Sequence, residues 1–315
     1  MKIIIYILTV LLMSQAILFS QTNPLLKEYD TPFNVPPFAQ IKNEHFLPAI
    51  RKGIKQQAEI IESIVNNPEL PTFENTIETY EYSDNLLTEV RNVFNNLTSA
   101  NTNPELQKIA SEIAPEISAH NDNILLNEKL FARIKVVYEK RATLTNQEQI
   151  KLLDETYNRF VRGGANLDET KKLRLREINK DLSLLRLKFG ENLLAETNGF
   201  KLVIEDKKDL SGLPESVING AYETGKKNGM EGKWVFTLQN PSMIPFLQYA
   251  DNRDLREKIW KAYSNRCNNN NEFDNKEIIV KILNLKLERA KLLGFNTTAD
   301  FILDEKIKNI FRFFC

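Results

Sequence analysis

Histidine and cysteine are almost missing from this chain, whose 315 residues carry two of each. The histidines, His45 and His120, lie far apart in sequence. There is therefore no helical pair of imidazoles four residues apart, the arrangement that holds zinc beside a glutamate base. The cysteines, Cys267 and Cys315, form no Cys-x-x-Cys pair and are too few for a disulfide scaffold. Glycine (11) and proline (12) are sparse, which argues against a turn-rich all-β fold. Excess charge of one sign is absent too: 42 basic residues face 42 acidic ones. No global field then draws the chain to nucleic acid or an anionic membrane, and partners must be recognised locally. A Gly-x-Ser-x-Gly elbow and a Gly-x-x-x-x-Gly-Lys loop are also lacking. Gly163-Gly164 has neither the preceding strand nor the further glycines of a phosphate cradle, and reads as a turn between helices.

No catalytic, cofactor-binding or metal-ligating residue stands out in the sequence. His45 sits in Glu44-His45-Phe46-Leu47-Pro48, where a helix is only beginning. His120, among Ala119, Asn121 and Asp122, reads as a solvent-facing residue at a helix end. Carboxylates are abundant on helix faces, and no pair stands out as an acid and base couple.

What is present is ample material for a folded core, with 42% hydrophobic and 27% charged residues. The first residues are a separate object. Lys2 supplies a positive start, Ile3 to Met13 is almost wholly apolar, and Ser14-Gln15-Ala16 and Leu18-Phe19-Ser20 follow. This is the pattern of a signal peptide cleaved after Ala16 or Ser20. The apolar run is shorter than the ~20 residues a membrane-spanning helix needs, so export to the periplasm or beyond is expected, without stable membrane insertion after cleavage.

Residues 21–45 carry Pro24, Pro32, Pro36 and Pro37 and should run extended over the surface. From Phe46 the period turns helical. Ala49, Ile50, Ile54, Ala58, Ile61 and Ile64 recur at threes and fours and predict one buried face. Thr72 or Asn75 should cap the next helix. Asn101 to Pro104 and Asn121-Asp122-Asn123 should delimit further ones. Leu175, Ile178, Leu182, Leu185 and Phe189 form a seam within the block Asp168 to Leu194. Lasting only about two heptads, it fits a long helix in an antiparallel hairpin better than a dimer zipper. At Gly199 the pattern becomes alternating. Strands are predicted at 200–204 and 233–238, around a helix over 213–227. Helices then resume over 243–249, 254–266 and 275–293, with the Asn268 to Asn271 run as a solvated loop between the last two.

Several of these stretches, taken in order, resemble the oligopeptidases and peptidyl-dipeptidases of the M3 (thimet oligopeptidase) family of zinc peptidases. The likeness begins at Phe38 and Phe46 to Ile50 and continues through Pro71 to Glu78, Phe94 with Asn96-Leu97, and Asn101 to Leu106. It resumes at Phe160-Val161-Arg162 with Gly164-Ala165, then at Asn252-Arg253, Ala262-Tyr263, Arg266, Asp274-Asn275-Lys276 and Leu292-Leu293-Gly294. Each fragment is weak alone, and their order and spacing are specific.

The resemblance implies a mainly α, neurolysin-like, zincin-type fold with a substrate channel for short unstructured peptides, of which this chain would supply the N-terminal helical lobe. The family's His-Glu-x-x-His is nowhere in the chain, so zinc is expected in the intact enzyme and not on this portion. After Lys306, residues 307–315 are expected to depart from the family, as the out-of-frame end of an interrupted gene or of a truncated gene model would. The expected layout is a signal peptide (1–20), an extended segment (21–45), a helical lobe (46–198), a small mixed α/β element near residues 200–238 with helices leading to a catalytic half (199–306), and an aberrant tail (307–315). Expected partners are short peptides, or a separately encoded catalytic half. The competing possibility is a non-catalytic helical peptide-binding protein derived from the same fold.

Overall fold

The structure, a computed structural model, describes residues 23–307. The leader-like segment 1–20, the tail beyond Ile307 and Cys315 lie outside the described residues. The described chain is mainly α with one two-stranded antiparallel sheet. It forms two compact units, one built from the chain up to Leu184 together with the stretch from Leu287, the other from Leu185–Lys286.

In the first unit the Pro-rich segment is less extended and less superficial than its prolines suggest. Single 3-10 turns occur at Pro24–Leu26, Pro32–Asn34 and Asn43–His45, and Asn23 and Leu25 are buried. Asn23 explains this. Its Oδ1 accepts from Leu25 N (3.0 Å) and its Nδ2 donates to His45 O (2.9 Å), which pins the first turn to the start of the first helix.

That helix, α1 (Phe46–Val65), buries Phe46, Ala49, Ile50, Gly53, Gln57, Ile61 and Ile64. The predicted face is right in its outline and rotated in the middle: Ala58 is exposed and the polar Gln57 is buried in its place. Gly53 lets α2 (Asn85–Ala100) approach closely, since a Cβ there would lie 2.9 Å from Leu87 Cα.

Thr72 opens the run between α1 and α2 with a reciprocal cap. Its Oγ1 accepts from Asn75 N (3.2 Å), while Asn75 Oδ1 accepts from Thr72 N (2.9 Å). The run starts as a wide π turn over Phe73–Glu78.

Helix α3 (Pro104–Leu125) is capped by Asn103, which accepts from Leu106 N (2.9 Å). It runs straight through Asn121-Asp122-Asn123, so that triplet is no boundary. The break comes at Leu126, and Asn127 caps α4 (Glu128–Glu139) through Leu130 N (3.0 Å). Helix α5 (Gln147–Gly163) ends at Gly164, whose φ of 100° is the left-handed turn expected of the Gly163-Gly164 pair.

Two apolar clusters hold this unit. One centres on Ile77, Leu130, Ile134, Leu153 and Phe160, the other on Phe46, Ala49, Ile50, Leu87 and Val90. Each large side chain buried there contributes about 1.5–3 kcal/mol.

Helix α6 (Glu169–Gly199) starts in the first unit and ends in the second. Its seam divides accordingly: Leu175, Ile178 and Leu182 are buried, whereas Leu185 and Phe189 are half-buried.

The second unit has its own core of Leu202, Ile204, Phe236, Phe246 and Ile259. Strands β1 (Leu202–Ile204) and β2 (Trp234–Phe236) pair antiparallel with Val203 opposite Val235, shorter than predicted but in the predicted places. Helix α7 (Glu215–Lys227) takes Pro214 as its N-cap, one step earlier than the first-turn position expected. Three helices follow: α8 (Asn240–Tyr249), α9 (Arg253–Ser264) and α10 (Lys276–Leu292), whose residues from Leu287 on are counted with the first unit. The last helix, α11 (Thr298–Ile307), belongs to the first unit.

The Asn-rich link is more than a solvated loop. Asn269 and Asn271 donate to the Glu196 carboxylate, and buried Asn275 accepts from Asn192 Nδ2 (2.9 Å) and donates to Phe189 O (3.1 Å). Amides thus tie the entry of α10 to α6.

Candidate functional site

The residues with chemical potential are few, so their positions are informative. His45 ends the 3-10 turn before α1 and is buried, with Nδ1 accepting from Lys42 N (3.0 Å). Its ring closes the turn. Burial holds it below the ordinary imidazole value, against the opposing pull of Glu44.

His120 is placed differently from its expected solvent-facing position. It lies inside α3 and is buried, because the helix continues a further turn past it. The spacing Ile113, Ile117, His120, Ile124 puts it on the inward face, a signal legible once the Asn121 to Asn123 triplet is read as helix.

His120 joins a buried polar chain that sequence reasoning missed. Ser83 Oγ donates to Tyr80 O (2.6 Å), so toward Gln57 it accepts, and Gln57 Nε2 faces it at 3.1 Å. Gln57 Oε1 is then left toward His120 Nε2 at 2.7 Å, and that ring nitrogen carries the proton. Burial first, and the Arg91 guanidinium second, keep the imidazole neutral by lowering its pKa. The chain satisfies each member by another, which is what a polar group inside a helical core requires.

A cavity of about 370 Å³ opens beside His120, lined among others by Glu62, Asn66, Asn123, Asn127 and Lys129. It offers amides, one carboxylate and one ammonium. No serine, threonine or cysteine lines it, so it presents hydrogen-bonding groups without a hydroxyl or thiol nucleophile.

A metal fares no better. Among the described residues no group of three or more His, Cys, Asp or Glu side chains could hold an ion. The two imidazoles are each engaged in their own helix packing, through His45 Nδ1 and His120 Nε2. The described residues therefore offer no three-ligand set of the kind that holds a catalytic zinc. Cys267 is buried in the second unit at a left-handed φ of 58°, and burial pushes its thiol pKa up, away from a reactive thiolate.

The fold and these side chains define a mainly α scaffold whose buried polar groups serve packing. Comparison with known proteins places that scaffold. Residues 246–312 match the model of peptidase family M3. The chain is 35% identical over 274 residues to the dipeptidyl carboxypeptidase of Escherichia coli K12, covering 87% of this chain and 40% of that protein. It is 32% identical to oligopeptidase A of Haemophilus influenzae, over 91% of this chain and 42% of the relative. With saccharolysin of Saccharomyces cerevisiae it shares 25% identity, over 76% of this chain and 33% of the relative. The chain belongs to peptidase family M3 and spans about 40% of the length of the two dipeptidyl carboxypeptidases it matches.

Proposed function

We propose that this chain is the N-terminal, non-catalytic part of an exported M3 zinc metallopeptidase that cleaves short, unstructured peptides as an oligopeptidase or peptidyl-dipeptidase. The observation that carries this is the asymmetry of the match: 87% of the chain aligns with only 40% of the E. coli dipeptidyl carboxypeptidase. The missing chemistry agrees with it, since the 315 residues hold two distant histidines and no His-Glu-x-x-His. Zinc and the groups that act on the peptide then belong to the length of the family that this chain does not match. What the chain's own residues supply is a helical body with its own packed cores. Export rests on Lys2 and the apolar run Ile3 to Met13.

Metal content tests the assignment. The purified chain, dialysed against zinc and then against buffer, should retain well under one equivalent. One tightly held zinc per chain would overturn it.

A further inference from the structure

Helix α10 is apolar on two sides and covered on one. At 3.6 residues per turn, Ile278, Ile282 and Leu285 share one face, and Ile279, Val280, Leu283 and Leu287 share another, centred about 140° away. The first three are half-buried. The other four are 44%, 57%, 58% and 37% exposed. Glu277, Lys281 and Asn284 line one edge of the open row. A helix hydrophobic on both sides is the pattern of one buried all round. Single exposed aliphatics are ordinary on a protein surface, but four in helical register beside a polar rim mark an interface.

The family comparisons indicate what covers it. Helix α10 lies inside the stretch matched by the M3 family model, residues 246–312. More than half of each close relative's length has no counterpart in this chain. We infer that the open face of α10 is the seat against which that remaining stretch of an M3 peptidase packs an apolar surface of its own. This rests on the assignment under Proposed function and names the residues through which the two parts associate.

The test pairs this full chain with the stretch of E. coli dipeptidyl carboxypeptidase outside the match, tagged and co-expressed. The wild-type chain should be monomeric by sedimentation when alone, should enhance the fluorescence of the hydrophobic dye ANS, and should be retained by the tagged partner. The V280E/L283E variant should keep its circular dichroism and unfolding midpoint, lose most of the dye signal, and bind the partner roughly 100-fold more weakly. Four outcomes overturn the seat: equal retention of both chains, retention of neither, a dye signal indifferent to the substitutions, or a wild-type dimer that the substitutions dissolve. None of these readouts uses activity or zinc, so failure of the seat is distinguishable from failure of the assignment itself.

Discussion

The protonated Nε2 of His120 lies 2.7 Å from Oε1 of Gln57, and both side chains are buried between α1 and α3. Removing either member strands the other. Gln57→Leu leaves the imidazole N–H without its acceptor and Ser83 without its donor, so it should destabilise the chain by about 2–4 kcal/mol. Its exposed neighbour provides the control, and Gln56→Leu should change stability by no more than about 0.5 kcal/mol. Urea unfolding of the two variants measures the contrast, and coincident midpoints would remove the polar chain from the list of stabilising features.

The same burial makes stability depend on pH. His45 and His120 are both held below the ordinary imidazole value in the folded state. An unfolded histidine takes up its proton near pH 6.5, while the buried rings stay neutral to lower pH. Their contribution is therefore intact above about pH 6.5 and is lost as the pH falls toward the folded values. Asp122 has the opposite sign. Burial raises its carboxyl pKa, so the folded state takes that proton first and gains stability as the pH falls through the raised value. Unfolding free energy measured against pH should decline below about pH 6.5, and His120→Gln should flatten that decline. An unchanged slope in the variant would contradict the buried, neutral assignment.

Two glycines should respond in opposite directions. At Gly164, with φ of 100°, a Cβ would sit 2.6 Å from Leu175 Cδ2, so Gly164→Ala combines backbone strain with a clash and should cost about 2–4 kcal/mol. Gly190, inside α6, has nothing within 4 Å of its Cβ position. Gly190→Ala should stabilise by about 0.5–1 kcal/mol through helix propensity alone. Thermal unfolding of both variants reads the signs directly.

Much of this architecture was legible in the residue pattern, and the departures have a common cause. Leu175, Ile178 and Leu182 repeat at helical spacing and are buried. The switch to alternation after Gly199 does mark the only sheet among the described residues. Asn121 to Asn123 misled because asparagine favours turns locally, yet here tertiary contacts hold the helix together: Asn179 donates to Asp122 (2.7 Å) and Arg176 to Asn123 (2.7 Å). Reading that triplet as a boundary also turned His120 outward. The hydrophobic pattern favours Ala58 over Gln57 because it gives no weight to a buried amide whose partners lie on other elements. No site emerged from the sequence for a related reason: the residue types that carry hydrolytic metal chemistry are scarce in it.

Arg162, near the end of α5, ties that helix to α11. Arg162 donates to Phe301 O (2.7 Å), pairs with Asp304 (3.1 Å), and lies over the Phe301 ring at 4.3 Å. Only 15% of that side chain is exposed, so these contacts are little screened. Arg162→Ala should loosen α11 by about 2–4 kcal/mol. Arg162→Lys should rescue little of this, because an ammonium lacks the planar fork that makes both bonds while stacking. Hydrogen exchange should accelerate across residues 298–307 and leave α1 unchanged; uniform protection throughout would show that α11 is anchored elsewhere.

If the hydrolytic chemistry of the family lies outside these residues, as proposed, the chain alone cleaves no peptide. Hydrolysis of a short internally quenched peptide by the purified chain, with zinc supplied and with a chelator as control, tests it most directly. No chelator-sensitive cleavage above the buffer rate is expected. Sustained turnover that zinc restores and the chelator abolishes would contradict it.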